Sequence, residues 1–440
     1  MIFHPHVRFY PTMEKAPPIL KVAYDARMIA HSGIGMRIRG LLRELGTISS
    51  KKGIEITLFG DSNLLKKQLP TEVLSHYKFE SYTSGIYSIK ELIGPEKLRE
   101  FHLLDIPHFN APLNYLEKSI VTVHDIIPFR MKQFHSSFLK QAYMRILFRF
   151  LQQKAAKIIS VSNFTKTDLI NVFGFFNDRV RTIYNGVDRE VFYPTQKSES
   201  SDFLKKYSLE PEYLLSVGIG KQHKNLDFVL RSFKRLWSLG KLEKKWVIAG
   251  AEGTLPEYLK KESGGWEDQI RVLPKLELSE LGLLYSRAAM LVFPSLYEGF
   301  GFPPVEAQAC RCPVYSSNAS VMPEILGNSA FYFHPDDSDM FETGLLELLS
   351  KPKLLKSRLD LGEKNSEKYS WKAAAQQTVE EYLETAKRIG ALQTESAKKK
   401  REVLKSSSLK TIAKPGRTAE AKSKMKQGLK GSAKKFSRKK

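Results

Sequence analysis

Two cysteines are all that the 440 residues contain, Cys310 and Cys312. Two positions apart, they cannot close an unstrained disulfide and supply at most half of a cysteine zinc site. A disulfide-stapled scaffold is excluded, and a reducing compartment is expected. Long apolar runs are missing too. The best of them, such as residues 288–293, have strand length, well short of the roughly 20 residues that a membrane-spanning helix needs. The first twenty positions carry His4, His6, Arg8, Glu14 and Lys15 with no apolar block of signal-peptide length, so a cytoplasmic chain is expected and any membrane contact must be peripheral. Acid is also scarce: 47 Asp and Glu face 70 Lys and Arg, a net charge of +23.

That basic excess is unevenly spread. Between positions 397 and 440 stand 17 Lys and Arg against Glu402 and Glu420, a surplus of 15, which leaves +8 for the preceding 396 residues. The tail is rich in Lys, Ser, Ala and Gly and poor in aromatics. It cannot bury enough apolar surface to offset its chain entropy, and disorder is expected. It fits an anionic lipid surface, at about 1 kcal/mol per charge near the membrane, ahead of nucleic acid, and a passive solvated tail stays open.

The chain is 42% hydrophobic and 11% aromatic, enough for two or three cores. Short β-branched runs alternate with longer helical patterns, the signature of parallel sheets crossed by helices. One set of runs falls at 22–24, 54–59, 106–109, 120–123, 158–161 and 180–184; a second falls at 213–217, 246–249, 270–273, 290–293, 314–316 and 330–333. Between them lie Asn185-Gly186-Val187-Asp188, Pro194 and the polar stretch 195–202, a turn followed by a linker. The expected fold class is α/β, with two Rossmann-like doubly wound parallel-sheet domains facing across a cleft. The expected organisation is an N-terminal extension (1–20), a first domain (21–194), a second (195–352), helices over 353–390 with Ser370 as an N-cap, and the tail (391–440). Doubly wound sheets bind ligands at the carboxyl ends of their strands, so two facing sheets set two substrates across one cleft.

The segment Pro294-Ser295-Leu296-Tyr297-Glu298-Gly299-Phe300-Gly301-Phe302-Pro303-Pro304-Val305-Glu306 follows an apolar run and opens a helix. Gly299 and Gly301 let backbone N–H groups approach a ligand, and Pro303 and Pro304 suit a first helical turn, whose free donors favour an anion. Glu298 and Glu306 can accept hydrogen bonds from hydroxyl groups. The pattern points to a phosphorylated or polyhydroxyl ligand; read alone, it is equally a Gly-Pro turn with a capping Glu.

The segment resembles the Glu-x7-Glu signature of the retaining glycosyltransferases of family 4, which have the GT-B fold. Other segments agree in the expected order. Ser32-Gly33-Ile34-Gly35 is similar to the acceptor-side glycine loop, Thr122-Val123-His124-Asp125-Ile126-Ile127-Pro128 to the His-Asp strand end, and Ser160-Val161-Ser162-Asn163 to the Ser-x-Ser turn. Tyr184-Asn185-Gly186-Val187-Asp188 resembles the interdomain loop, Val217-Gly218 through Lys224-Asn225-Leu226 the phosphate-binding turn, and Tyr369-Ser370-Trp371 the start of a C-terminal helix that returns to the first domain. The match runs from about Lys21 to Ala386.

The resemblance implies that Glu306 binds the donor ribose, that Glu298 with the Phe300-Gly301 backbone holds the transferred sugar, and that Lys224 beside Gly218 neutralises the diphosphate. His124 is implied to contact the sugar near the reacting carbon and to be needed for transfer. A departing nucleoside diphosphate asks for such cations and preorganised N–H donors. No Asp-x-Asp stands beside the donor turn, so no metal and no other cofactor is expected. The implied reaction retains anomeric configuration by front-face displacement, with the leaving phosphate helping to deprotonate the acceptor. Two positions depart from the family pattern. His223 stands where many relatives carry Arg, which makes donor affinity fall between about pH 6 and 8 if it participates. Met36-Arg37 replaces the usual Arg-aromatic pair after Gly33 and Gly35.

Residues 138–157 interleave Phe138, Tyr143, Met144, Leu147, Phe148 and Leu151 with Lys140, Arg145, Arg149, Lys154 and Lys157, an amphipathic basic helix that packs on its own sheet or lies on a membrane. The expected partners are a nucleotide sugar, a saccharide or lipid-linked acceptor and, through this helix and the tail, an anionic membrane surface. Nucleic acid is not expected. The leading expectation is a hexosyltransferase using GDP-mannose; a UDP-hexose donor, or a non-catalytic GT-B protein that uses its tail on RNA or membrane, are the alternatives.

Overall fold

The computed structural model describes residues 19–134, 138–250 and 253–391. The expected disordered tail, and all but the end of the N-terminal extension, lie outside these residues. Among the described residues, thirteen strands form two parallel sheets. The first contains β1 (Leu20–Asp25), β2 (Ile54–Gly60), β3 (Lys78–Ser81), β4 (Leu103–Ile106), β5 (Ser119–Val123), β6 (Lys157–Ser160) and β7 (Val180–Thr182), in the order β3-β2-β1-β4-β5-β6-β7. The second contains β8 (Leu214–Val217), β9 (Trp246–Ala249), β10 (Ile270–Val272), β11 (Met290–Phe293), β12 (Val314–Ser317) and β13 (Phe331–Phe333), in the order β10-β9-β8-β11-β12-β13. Both orders are doubly wound, with the switch between β1 and β4 in one sheet and between β8 and β11 in the other.

Helices cover both faces, so the central strands are buried throughout and read as unbroken apolar runs, as in Met290-Leu291-Val292-Phe293. Two strands differ most from the expectation, beyond shifts of one or two residues at the ends of others such as β1 and β7. The third expected run ends, rather than begins, at Ile106: β4 is Leu103–Ile106, with Asp105 buried inside it. A buried carboxylate breaks the apolar pattern on which the reading relied, and it is tolerated because the Tyr382 hydroxyl donates to it at 2.5 Å. The edge strand β3, Lys78-Phe79-Glu80-Ser81, is largely exposed and has no apolar signature at all.

The segment from Ile183 to Tyr213 carries no strand and joins the two sheets. Ser370 caps the Trp371–Arg388 helix by accepting the Ala373 N–H, and this helix packs on Gly33–Ser50 of the first sheet's layer. The basic helix is Phe138–Lys154, three residues shorter than expected. Lys157 leaves it: the residue opens β6, where its ammonium donates to the Asp178 carbonyl at 3.1 Å and lies 3.6 Å from Glu381.

Candidate active site

The chemistry-bearing residues cluster at the two switch points. On the second sheet, Gly218 follows β8 with φ +93°, and the 3-10 turn Gln222–Lys224 comes next. After β11, the loop through Glu298 turns at Gly301, φ +85°, into the helix Phe302–Ala309. Parallel strands at the switch send adjacent loops to opposite faces, leaving a crevice between them. Lys224 reaches across that crevice to Glu298 at 2.6 Å.

This pair is the electrostatic centre of the loop. Burial opposes ionisation of Glu298, but the Lys224 ammonium and the Ser295 hydroxyl, which donates at 2.7 Å, hold its carboxyl below the usual range. The Glu298 N–H donates to Ser320 Oγ at 3.0 Å. Lys224 also stands 5.2 Å from the centre of the Phe293 ring. Two positions after Glu298, Phe300 turns its side chain into the core beside Tyr369, so only its backbone can serve a ligand. His223 is buried in its turn, and its carbonyl accepts the Leu296 N–H at 2.8 Å, tying the loops after β8 and β11 together.

Glu306 lies two turns further on, fully buried. Tyr285 donates to one oxygen at 2.9 Å; the other, Oε1, has no hydrogen-bond partner among the described residues. Burial lifts this carboxyl to about 7 against the opposing effect of Tyr285. An acceptor left bare in a closed interior is costly and invites a hydroxyl donor. Glu306 also lines a narrow cavity with Arg39, Arg43, Gly186 and Leu278, which places it where the two domains meet.

Across the cleft, His124 follows β5. Its Nε2 lies 2.8 Å from the Pro107 carbonyl and donates to it, leaving Nδ1 as the accepting nitrogen. Burial, and then the positive charge of Arg37, push the imidazole down to about 3, so it is neutral over the working range. The backbone here is pressed against the donor loop: a Cβ on Gly299 would sit 1.9 Å from the His124 carbonyl oxygen. His124 and Glu298 therefore come together from different domains.

The residues of the expected acceptor-side loop divide. Gly33 opens the Gly33–Ser50 helix with open space around it, whereas Gly35 is required by packing, because a Cβ there would meet the Ile29 carbonyl at 2.4 Å. Arg37 points inward, away from any acceptor, and donates to Asn185 Oδ1 at 2.7 Å and the Ile183 carbonyl at 3.2 Å. Sequence reasoning missed the constellation beside them. Asp25, Glu91 and His108, brought together by β1, β4 and the Ile89–Ile93 helix, have ligand atoms within 4.8 Å of one another. The Arg27 guanidinium lies 2.6 Å from Asp25 and 2.7 Å from Glu91, and stacks 4.1 Å from the Tyr82 ring centre. A fixed organic cation thus neutralises the carboxylates a metal would need. With His108 and Arg27 both donating to it, Asp25 stays well below the usual carboxylate range despite burial. No spacing rule links residues 25, 27, 91 and 108, so only the sheet order could have found them.

Two family models match the two halves of this architecture: "Glycosyltransferase Family 4" over residues 33–191 and "Glycosyl transferases group 1" over residues 199–368. The chain is a family 4 glycosyltransferase. Among curated relatives of this glycosyltransferase is the O-antigen chain mannosyltransferase RfbU of Salmonella typhimurium, 30% identical over 56% of the chain and 64% of the relative. The O-antigen chain mannosyltransferase B of Escherichia coli is 28% identical over 63% of the chain and 72% of the relative. The match to RfbU thus spans just under two thirds of that protein's length. Among solved structures, Anabaena Alr3699/HepE in complex with UDP-glucose superposes on 83% of the chain and all of its own, with a TM-score of 0.66 at 17% identity. That likeness establishes the GT-B fold of the glycosyltransferase and nothing finer.

Proposed function

We propose that the chain is a metal-independent, retaining hexosyltransferase that moves mannose from GDP-mannose to a glycan or lipid-linked saccharide acceptor. The observation that carries the reading is the meeting of His124 with the Glu298-Gly299 loop, directly beside the Lys224 ammonium. In this reading Glu306 receives the ribose hydroxyls on its bare oxygen. Lys224 turns from Glu298 to the diphosphate, joined by the Gly301 and Phe302 N–H groups at the start of the Phe302–Ala309 helix. Glu298 then takes the sugar hydroxyls. The anomeric C–O bond to the phosphate breaks as the acceptor oxygen bonds on the same face, and the acceptor proton passes to the departing phosphate oxygen. The relatives RfbU and mannosyltransferase B, both mannosyltransferases by name, support the choice of sugar.

The membrane partner belongs to the same proposal. No described helix is long and apolar enough to cross a membrane. The Phe138–Lys154 helix buries Met144, Leu147, Phe148 and Leu151 and exposes Phe138, Leu139, Ile146, Phe150, Arg145 and Arg149, with no acid along its length. Such a face suits an anionic lipid surface and a lipid-linked acceptor.

Thermal stabilisation by a panel of GDP- and UDP-sugars, with wild type and Glu306→Ala, tests the assignment. A ligand at 100 times its Kd adds about 2.7 kcal/mol. A shift by the GDP series in wild type alone supports the reading. A UDP-only shift replaces the donor. No shift at all, with RNA or vesicles bound through the tail, returns the chain to a non-catalytic binder.

A further inference from the structure

The two residues that flank the donor loop's contacts cross into the other domain, and no catalytic step uses either. Tyr297, immediately before Glu298, is buried among first-domain side chains. Its ring packs edge-on to Phe164 at 5.4 Å, and its hydroxyl donates to Asp168 on the helix Asn163–Phe173. Asp168 is also held by Arg130, whose Nε lies 3.0 Å away. Glu324 is the second crossing. It sits on the short helix Met322–Leu326, four residues after Ser320, the acceptor of the Glu298 N–H. Its two carboxylate oxygens each accept a backbone N–H at 2.7 Å, from Asn163 and from Phe164, and one also accepts the Tyr184 hydroxyl at 2.8 Å.

The hydrogen-bond inventory of the Asn163–Phe173 helix explains why these contacts matter. Four N–H groups at a helix start lack partners within it. Of these, the Thr165 N–H is met by the Ser162 hydroxyl, while the Lys166 N–H begins the ordinary helical ladder at the Ser162 carbonyl. The N–H groups of Asn163 and Phe164 are satisfied by a carboxylate from the second domain. When the domains part, water can replace that carboxylate, so the contact is reversible and orders the closed form without locking it. Both crossings grip one helix, and Thr165 on it lies 3.3 Å from the His124 carbonyl and 3.5 Å from that of Gly299.

We propose that Tyr297 and Glu324 are positioning residues, a double clasp from the donor loop to the Asn163–Phe173 helix that closes the cleft and sets His124 against Glu298. The clasp rests on the hexosyltransferase reading only for its catalytic consequence; its effect on closure does not depend on it.

The test uses the full chain, spin-labelled at Lys67→Cys and Lys353→Cys, one exposed site on each side of the cleft, with interdomain distances read by pulsed electron resonance. Tyr297→Phe removes only the hydroxyl, and Glu324→Gln keeps the shape while losing one acceptor oxygen. Each is expected to broaden the distribution toward longer distances, and the double variant to do so most, with the melting temperature little changed. GDP binding, measured by calorimetry, should stay within about twofold, whereas kcat with the nucleotide sugar found by the panel should fall at least tenfold. An unchanged distance distribution overturns the clasp. So does a loss of GDP affinity in proportion to kcat, which would make these residues part of the donor site itself. A wild type with no turnover, but with distances that respond to the variants, refutes the hexosyltransferase reading and leaves the clasp standing.

Discussion

The Lys224 ammonium and the Glu298 carboxylate lie 2.6 Å apart, so the two groups assigned to the diphosphate and to the sugar are each other's partner in this structure. Each neutralises the other in a crevice where neither could be left alone cheaply. The donor has to divide this pair. Glu298→Gln should therefore free Lys224 for phosphate: affinity for GDP is kept or rises, while kcat falls by about 100-fold or more. Lys224→Ala should do the reverse in calorimetry, losing GDP binding and leaving Glu298 buried without a counter-charge, at a stability cost of roughly 3 kcal/mol. A parallel loss of GDP binding in both variants would refute this division of labour.

Glu306 should couple donor binding to a proton. Its folded carboxyl titrates at about 7, above the unfolded value of roughly 4.3. Between those two values the folded state holds a proton that the unfolded state has lost, so this group's contribution makes stability fall as pH rises through the window. Glu306→Gln should flatten that slope in denaturant titrations. Ribose hydroxyls prefer the ionised carboxylate, so donor uptake near pH 6.5 should release part of a proton. Calorimetry in two buffers of different ionisation enthalpy reads the release, and its persistence in Glu306→Gln would show that the ribose binds elsewhere.

His124 should act as a neutral, oriented imidazole. Its folded value of about 3 lies below the unfolded value of roughly 6.5. The stability it contributes is complete above the unfolded value and is lost as pH falls from there toward 3. Nitrogen-15 spectra between pH 5 and 8 should show one unchanging tautomer with the proton on Nε2, fixed by the Pro107 carbonyl. His124→Gln can keep that N–H contact and should retain more turnover than His124→Ala. A titration with a midpoint near 6.5 would refute the burial argument.

The sequence was most legible where one physical signal dominated. β9 and β11 were bounded correctly because fully buried parallel strands read as pure apolar runs. The Ser370 cap was readable because a hydroxyl before a run of helix formers has few other roles. It failed where tertiary partners overrode local pattern. Asp105 hid β4, since the Tyr382 hydroxyl that excuses it comes from a helix 277 positions away. Lys157 looked like one more charge on a basic helix, but Asp178 and Glu381 draw it onto a strand. Of the site, the Glu298–Glu306 loop and Lys224 were findable because motif order supplied what spacing could not. The Asp25-Arg27-Glu91-His108 constellation was not, since it is assembled only by the β1–β4 switch.

The Phe138–Lys154 helix gives a prediction about surfaces. Phe138 and Leu139 are each 80% exposed, and Arg145, Ile146, Arg149 and Phe150 share the outward side. Replacing Phe138 and Leu139 by Ser, or Arg145 and Arg149 by Glu, should reduce sedimentation with vesicles containing phosphatidylglycerol by about tenfold. The charge variants should lose the salt dependence as well. Equal sedimentation of wild type and both variants would assign any membrane binding to other parts of the chain.

Gly299 is the most demanding test of how the two domains meet. The His124 carbonyl approaches so closely that even one methyl group, placed 1.9 Å from the oxygen, cannot be accommodated without movement, and the neighbouring Asp125 Cβ at 3.2 Å closes the side route. The obstruction is backbone, which cannot rotate aside as a flexible side chain can. Gly299→Ala must therefore either hold the cleft open or displace the sugar loop. Opening predicts that GDP affinity, carried by the second domain, stays within about twofold while kcat falls by about 100-fold or more. It also predicts a longer mean distance between the labels at Lys67→Cys and Lys353→Cys. Displacement of the loop predicts instead that the Lys224–Glu298 pair is disturbed and GDP affinity changes with kcat. Measuring both quantities on the one variant decides whether the closeness of Gly299 to His124 is the closed, reactive arrangement of the enzyme.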